Sequence, residues 1–320
     1  MKILVLGGAG YVGSAVVREM LNHGHEVTCF DLMLFGAESM MPWLGRDDFT
    51  LIKGDVRDKS QVDAAMKGQD AVILLASIVG EPACNRDPEN TVATNVGGAR
   101  NAVEAAQKHG VKHFIFASTC SNYGVADTDK PVAEDGKLNP ISVYSETKVE
   151  TENLVLAAAS DTLSPTVLRL STAFGVSARM RFDLLVSDFT LAGHQDGKVV
   201  IFGEQFWRPF AHINDIAKAM RMVLAASPEV VKGEVFNVGA NYNNTQKQTL
   251  GESVAKHLPG TKIEFVTKNE DPRSYRVEFA KVKEKLGFEP DWTIDDGIVE
   301  VRDCLNNNVW PDPTDARYKN

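Results

Sequence analysis

The chain has 320 residues, of which 43% are hydrophobic and 24% charged, so its composition is that of an ordinary globular protein. At about 150 residues per domain, this length predicts one large domain or two modest ones. The 34 lysines and arginines against 43 acidic residues give a formal charge of −9, which argues against a nucleic-acid partner. An anionic ligand must therefore be bound by a few placed arginines and helix ends.

Cysteine usage and the first residues of the chain bear on its location. The four cysteines, Cys29, Cys84, Cys120 and Cys304, are far apart and form no CxxC pair, a pattern that fits neither a disulfide framework nor a zinc site. The sequence runs from Met1 directly into an apolar run, which leaves no room for a secretion signal. The longest apolar stretch is about half of the roughly 20 residues that a membrane helix needs. We expect a cytoplasmic protein with no metal site and no membrane partner.

The first half of the chain alternates short apolar runs with helical patterns, as βα units do. The predicted strands cover residues 3–6, 26–30, 49–52, 71–75, 113–117 and 166–170. The predicted helices cover residues 13–22, 59–67, 93–109 and 143–159. Because continuous apolar runs indicate strands covered on both faces, we expect an α/β fold, a Rossmann-type doubly wound parallel sheet.

The pattern changes after Gly175. The predicted elements are a helix near residues 182–191, a strand at 199–202, a helix after residue 215 and a strand at 235–238. Asn214 and Asp215 stand at the position of the cap of the second helix. We expect residues 1–175, completed by 201–240, to form the sheet domain. Residues 176–200 and 241–320 are expected to form a smaller lobe of irregular composition over the carboxyl ends of the strands, where open α/β sheets bind ligands.

A glycine-rich turn, Gly-Gly-Ala-Gly-Tyr-Val-Gly, joins the first predicted strand to the first predicted helix. One glycine permits the tight turn, one lets the backbone approach a pyrophosphate, and one lets the helix pack close to the strand. The second strand ends at Asp31, where a carboxylate can accept from a ribose 2′-hydroxyl and would repel a 2′-phosphate, so NAD is favoured over NADP. The expected cofactor contacts are Gly7, Gly10, Tyr11, Val12, Gly13, Asp31, Asp55, Val56 and Ala76. Asp55 and Val56 could instead form a simple turn.

Tyr144 and Lys148 are four residues apart on a predicted helix, so their side chains share one face. Thr119 lies at the carboxyl end of a predicted strand and can reach the same crevice. Tyrosine is a poor base at neutral pH, because its ordinary pKa is near 10. A positive charge about 5 Å away favours the phenolate by about 3.3 kcal/mol at an effective dielectric constant of about 20. We therefore expect Lys148, with an oxidised nicotinamide, to make Tyr144 an effective base.

Together these residues resemble the extended short-chain dehydrogenase/reductase family, specifically its NAD-dependent nucleotide-sugar epimerases and dehydratases. The resemblance rests on residues 7–13, Asp31, Asp55 with Val56, residues 95–97, Ser118 with Thr119, Tyr123 with Gly124, Pro140, residues 144–148 and residues 208–215. It implies an enzyme in which residues 1–175 bind NAD, the smaller lobe binds substrate, and Thr119, Tyr144 and Lys148 are catalytic. It also implies a homodimer, which could form through the helices around residues 95–107 and 143–156.

The resemblance further implies a nucleotide-diphosphate sugar as substrate, bound by Arg208 and by a basic residue near Arg273. Such arginines are expected in an acidic chain, because a diphosphate needs charge-assisted donors. Arg179 and Arg181 are further candidates, although they could equally lie in a solvated loop. Thr172 is a candidate substrate contact at a position where the family usually has asparagine.

The residues after Thr119 separate the branches of this family. The 4,6-dehydratases have Asp-Glu there, whereas this chain has Cys120 and Ser121, so we expect an epimerase that acts at carbon 4. One alternative is a dehydratase or a 3- or 5-epimerase that uses Cys120 as acid or base after the same oxidation. Cys120 could equally be a small buried residue beneath the site. The other alternative is a non-catalytic dinucleotide-sensing protein.

Overall fold

The structure is a computed structural model that describes residues 1–127, 129–267 and 273–320. Its strands are β1 (Lys2–Leu6), β2 (Glu26–Asp31), β3 (Phe49–Lys53), β4 (Ala71–Leu74), β5 (His113–Thr119), β6 (Ser164–Leu170), β7 (Thr172–Phe174), β8 (Lys198–Phe202), β9 (Trp207–His212), β10 (Glu234–Val238), β11 (Asn244–Gln246) and β12 (Lys262–Val266). Its α-helices are α1 (Tyr11–Asn22), α2 (Lys59–Met66), α3 (Glu81–Arg86), α4 (Pro88–Val92), α5 (Gly98–His109), α6 (Val143–Ala157), α7 (Leu185–Asp196), α8 (Ile213–Ala225), α9 (Pro228–Val231), α10 (Lys247–His257), α11 (Ala280–Leu286) and α12 (Ile294–Asn306).

Seven strands form the central sheet in the order β10-β6-β5-β4-β1-β2-β3, and every pair in it is parallel. The chain builds outward from β1 to β3, crosses to β4 and then builds the other half. The reversal between β1 and β4 opens a crevice at the carboxyl ends of these strands. The predicted doubly wound parallel sheet is confirmed.

Helices cover both faces of this sheet, because successive side chains of a strand point in opposite directions. In β1, Ile3 and Val5 pack into the core on the side of α1 and α8. Leu4 and Leu6 pack into the core on the side of α2, α5 and α6. All four side chains are fully buried, which explains why the strands appear in the sequence as continuous apolar runs.

The smaller lobe has a core of its own, formed by β7, β8, β9, α7, α10 and α12, with Phe174, Phe189 and Phe210 among its buried side chains. Here β9 pairs with β7 and β11, and β8 pairs with β12. Residues 201–240 were expected to complete the sheet domain, and this holds for two of their elements: β10 joins the central sheet and α8 packs on α1. The strands β8 and β9 instead pair within the small sheets. The described part of the tail after residue 241, which showed no regular pattern in the sequence, contains β11, β12 and the helices α10, α11 and α12.

The predicted helix at residues 93–109 is confirmed, with a π-helical first segment, Ala93–Gly97, that continues without a break from α4 into α5. One helix-cap prediction requires correction. Asn214 and Asp215 do not cap α8. The His212 imidazole accepts the amide of Asn214, and the Asp215 carboxylate accepts the amides of Asp291 and Trp292, which ties α8 to the chain before α12.

A buried ion pair fastens α6 to the sheet. Arg169 of β6 donates from Nη2 to Oε2 of Glu152 on α6 over 2.8 Å, and their side chains are 6% and 3% exposed. The Ser118 hydroxyl and the Asn122 amide donate to the other oxygen of Glu152, and Arg169 donates from Nη1 to the Tyr123 hydroxyl. Both charges are thus satisfied by groups on β5, β6 and the turn after β5.

We expect Glu152→Gln to lower the free energy of unfolding by about 3–5 kcal/mol, because Arg169 would stay buried without its counter-charge. Chemical denaturation followed by circular dichroism measures this. As a control, Lys59→Met breaks the exposed ion pair with Glu104 and should move the midpoint much less. Equal midpoints for the two variants would contradict a structural role for the buried pair.

Candidate active site

A cleft of about 1190 Å³ runs along the carboxyl ends of the central strands and is bordered by the smaller lobe. It is larger than the roughly 300–1,000 Å³ of a site for one small ligand, so it has room for two. Every residue expected to bind cofactor or substrate lines this cleft, as do Thr119, Tyr144 and Lys148. Cys120, the remaining predicted site residue, does not.

The glycine-rich turn brings the start of α1 to the edge of the cleft. Gly7 has a φ of +88°, and a Cβ there would lie 2.5 Å from the backbone nitrogen of Ala76. A Cβ at Gly13 would collide with the carbonyl oxygen of Gly7. α1 begins after Gly10, and no side chain of the described residues caps it. Its first amides are thus available to an anion in the cleft, which fits the pyrophosphate of a dinucleotide.

Asp31 ends β2 beside this turn and is held by two backbone amides. Its Oδ2 accepts from Ala9 over 3.0 Å and its Oδ1 from Met33 over 2.7 Å. Burial raises the pKa of Asp31, and these two hydrogen bonds partly offset that effect. Leu34 and Phe35 follow and also line the cleft, 73% and 40% exposed. The sequence analysis missed this apolar wall, although the run of Leu and Phe after Asp31 is a visible signal.

Other contacts at this end of the cleft are fixed by polar side chains. Asp55 is bound to Arg57 by several hydrogen bonds, while Val56 is buried. Asn95 was not singled out as a site residue. Its side chain accepts from the amide of Ile78 over 2.8 Å and donates to the same residue's carbonyl over 3.1 Å, so it fixes the loop after β4. The Asn-Val-Gly stretch at residues 95–97, which is part of the family resemblance, was the feature of the sequence that pointed to Asn95.

The start of α6 brings the predicted catalytic side chains together. Ser142 and Ser145 form a capping box, which starts the helix at Val143 and puts Tyr144 in its first turn. One turn later, Lys148 is 3% exposed and donates from Nζ to the carbonyl of Ala117 over 2.9 Å. This Nζ lies 5.8 Å from the centre of the Tyr144 ring.

Burial controls both of these ionisable groups. It raises the pKa of Tyr144 to about 12, although the Thr119 hydroxyl and the charges of Arg181 and Arg273 lower it in part. Burial also lowers the pKa of Lys148 to about 8. In the protein chain alone, desolvation outweighs the nearby charges, and the expected acidification of Tyr144 by Lys148 with an oxidised nicotinamide stays a prediction.

Cys120 lies beneath the cleft. It is 1% exposed, its thiol donates to the carbonyl oxygen of Arg169 over 3.2 Å, and burial raises its pKa to about 12. This position agrees with the interpretation of Cys120 as a small buried residue beneath the site rather than as an acid or base. The next residue, Ser121, does line the cleft, with its hydroxyl 3.2 Å from that of Tyr275.

Three of the four candidate arginines, Arg208, Arg273 and Arg181, line the cleft, and the charges of Arg181 and Arg273 act on the Tyr144 phenol. Arg208 is 3% exposed and its guanidinium carbon lies 5.5 Å from the centre of the Tyr275 ring. Arg273 lies 3.3 Å from the carboxylate of Glu81. Arg181 makes two hydrogen bonds to Asp183, of 2.9 and 2.6 Å. Thr172 begins β7 at the floor of the cleft.

Arg179 lies elsewhere in the cleft. Its guanidinium carbon is 3.8 Å from the centre of the Phe35 ring, and it interacts electrostatically with Asp31. The structure therefore places Arg179 at the cofactor end, against the expectation that it binds the substrate diphosphate. In the described part of the chain, no cluster of three His, Cys, Asp or Glu side chains could hold a metal ion, and no helix is both long and apolar enough to cross a bilayer.

Comparison with known proteins agrees with this geometry. The model of the NAD dependent epimerase/dehydratase family matches residues 3–239. A UDP-glucose 4-epimerase of Corynebacterium glutamicum is 31% identical over 94% of each chain. A dTDP-glucose 4,6-dehydratase of Streptomyces niveus is 27% identical over 98% of this chain and 95% of the relative. The structure of a UDP-glucose 4-epimerase of Thermotoga maritima with UDP-glucose superposes with a TM-score of 0.86, at 26% identity over 97% of this chain and 100% of that one.

These matches extend along nearly the whole chain, and the relatives are named as nucleotide-sugar enzymes. The uncapped start of α1, the close packing at Gly7 and Gly13, and the carboxylate of Asp31 fit a bound dinucleotide. The predictions of an enzyme and of NAD as its cofactor are confirmed. This chain belongs to the NAD-dependent epimerase/dehydratase family.

Proposed function

We propose that the protein is a nucleotide-sugar 4-epimerase. It oxidises carbon 4 of the sugar, lets the keto sugar turn over in the cleft, and reduces it from the other face. The observation that supports this reaction over dehydration is the set of acid and base groups around Tyr144. The phenol is suited to one reversible proton transfer with a sugar hydroxyl. The described residues around it offer no second, unpaired acid or base that could remove a proton from a ring carbon.

The carboxylates of the cleft illustrate this point. Four of them line it within the described residues, and each already has donors: two backbone amides for Asp31, Arg57 for Asp55, Arg273 for Glu81 and Arg181 for Asp183. Ser121 stands where the dehydratase branch has glutamate, and its hydroxyl carries no charge to remove a carbon-bound proton. Cys120 is buried beneath the cleft. Oxidation and reduction at one carbon therefore fit this site better than elimination of water.

Each residue near the phenol has a distinct task. NAD, when bound, supplies the hydride acceptor and a positive charge. Tyr144 takes the proton from the sugar hydroxyl and later returns it, while Thr119 donates to or accepts from the same oxygen. Lys148 has three N–H donors, of which one is used by the carbonyl of Ala117, so two remain for the cofactor ribose and the phenol.

The substrate is proposed to be a nucleotide-diphosphate sugar held by Arg208 and Arg273. Binding through the diphosphate leaves the sugar ring free to rotate, which an epimerase requires and the volume of the cleft permits. That the enzyme is a cytoplasmic homodimer stays a prediction.

The product formed tests the proposal. Incubation of the enzyme with UDP-, dTDP-, CDP- and GDP-sugars in D₂O, followed by NMR, should show inversion at carbon 4 with no deuterium in the ring. A 4-keto-6-deoxy product, or deuterium at carbon 3 or 5, would instead support the dehydratase or 3-/5-epimerase alternative.

We expect Tyr144→Phe to lower kcat by about 10²- to 10⁴-fold, because it removes the acid/base group. Binding of NAD should persist, since the glycine-rich turn and Asp31 are unchanged. Tyr242→Phe is a matched control, because Tyr242 is 58% exposed and its hydroxyl donates to the carbonyl of Pro290. Unchanged turnover in Tyr144→Phe would refute the assignment of the phenol.

Lys148 generates a pH-dependent stability difference that can be measured without substrate. Its pKa is about 8 in the folded chain against an ordinary value of 10.5, so between these values the unfolded state binds more protons and stability rises with pH. We expect cofactor-free Lys148→Met to be more stable than wild type at about pH 7, and to lose most of this advantage as the pH rises to about 10.5. Urea unfolding of both proteins across this pH range measures the difference between their free energies of unfolding. The contributions of the other ionisable groups are common to both proteins and cancel in this difference. A difference that does not change with pH would contradict the lowered pKa.

A further inference from the structure

Arg179 is a buried cation at the cofactor end of the cleft. It is 7% exposed, and its guanidinium stacks against the ring of Phe35 at 3.8 Å from the ring centre. Burial lowers its pKa to about 10. A guanidinium in this position has lost much of its hydration, which is unfavourable unless an anion compensates.

The described residues give Arg179 only uncharged hydrogen-bond partners, although the carboxylates of Asp183 and Asp31 attract it and Arg181 repels it. Its Nη2 donates to the carbonyl oxygen of Lys319 over 3.1 Å and to the side-chain oxygen of Asn320 over 2.8 Å. Its Nε is buried without a hydrogen-bond partner among those residues. Asp31 is a neighbouring charge, but its two oxygens accept from the amides of Ala9 and Met33. Arg179 lines the cleft, so it presents a positive charge there without a hydrogen-bonded carboxylate among the described residues.

The chain before Arg179 is anchored on the first turn of α1. The Ser177 hydroxyl donates to the carbonyl of Tyr11 over 2.8 Å and lies 2.9 Å from the Ser14 hydroxyl. The amide of Arg179 donates to Ser177 in turn. Arg179 is therefore attached to the helix whose uncapped N-terminus faces the cleft.

We propose that Arg179 binds the pyrophosphate of NAD. A diphosphate in an acidic protein needs a cation in addition to the partial charge of a helix N-terminus. Two other arginines of the cleft are paired with carboxylates, Arg57 with Asp55 and Arg181 with Asp183. Arg179 lines the cleft and donates to no carboxylate among the described residues, so its charge is available to a diphosphate.

Calorimetric titration of the full-length, cofactor-stripped protein tests the proposal, with adenosine, ADP, NAD, NADP and UDP as ligands. Arg179→Met should weaken ADP and NAD by about 10- to 100-fold, the usual worth of a hydrogen bond to a charged group, and leave adenosine at the wild-type affinity. Arg179→Lys should fall between these, because it keeps the charge but lacks the planar fork of donors. Arg46→Met is the matched control: Arg46 also lies over an aromatic ring, that of Trp43, but outside the cleft. It should bind every ligand as wild type does.

Three outcomes would overturn the proposal. Equal weakening of adenosine and ADP would mean that Arg179 shapes the nucleoside site through Phe35. Weakening of UDP with ADP unchanged would assign Arg179 to the substrate diphosphate, and a loss confined to NADP would assign it to a 2′-phosphate. Thermal unfolding identifies the variants that fold. If Arg179→Met does not fold, the comparison with wild type is made with Arg179→Lys alone. Because only binding is measured, the result does not depend on which sugar reaction the enzyme catalyses.

Discussion

The ion pair between Glu152 and Arg169 is the interaction on which the rest of the site depends. It joins α6, which carries the reactive side chains, to the strands whose carboxyl ends form the cleft. Two charges leave water at a cost that only close, fully hydrogen-bonded contact recovers. The donors that complete this contact come from β5 and the turn after it, next to Thr119. Lys148 lies one turn before Glu152 on the same helix, so the pair also helps to hold its ammonium 5.8 Å from the centre of the Tyr144 ring.

Burial then shapes the chemistry of the cleft. It raises the pKa of Tyr144 and lowers that of Lys148, so the chain alone keeps the phenol protonated and weakens the charge of the lysine. In a site that excludes water, each added charge has a larger effect than it would have in solution. A bound dinucleotide would add a positive ring and a diphosphate, so it would change the charge balance around Tyr144 and, as proposed, around Arg179.

Much of the fold could be predicted from the sequence, because it is encoded locally. The strands β1 to β6 appear as apolar runs since both of their faces are covered, and the turn at Gly7 to Gly13 needs glycines for close packing. The short helices α3 and α4 and the strands of the smaller lobe gave no comparable signal. They are short and partly exposed, and their pairing partners are distant in sequence, as with β8 and β12.

The sequence by itself determined the doubly wound sheet, the dinucleotide turn with Asp31, and the shared helix face of Tyr144 and Lys148, because each depends on residues close together in the chain. Only the tertiary structure decided where Cys120 and Arg179 lie. Cys120 directly follows Thr119 but begins the turn after β5, and its thiol donates to the carbonyl of Arg169 below the cleft. Arg179 reaches the cofactor end because Ser177 is anchored on α1, a contact between residues more than 160 positions apart. Such placement depends on packing between distant segments, which spacing along the chain does not specify.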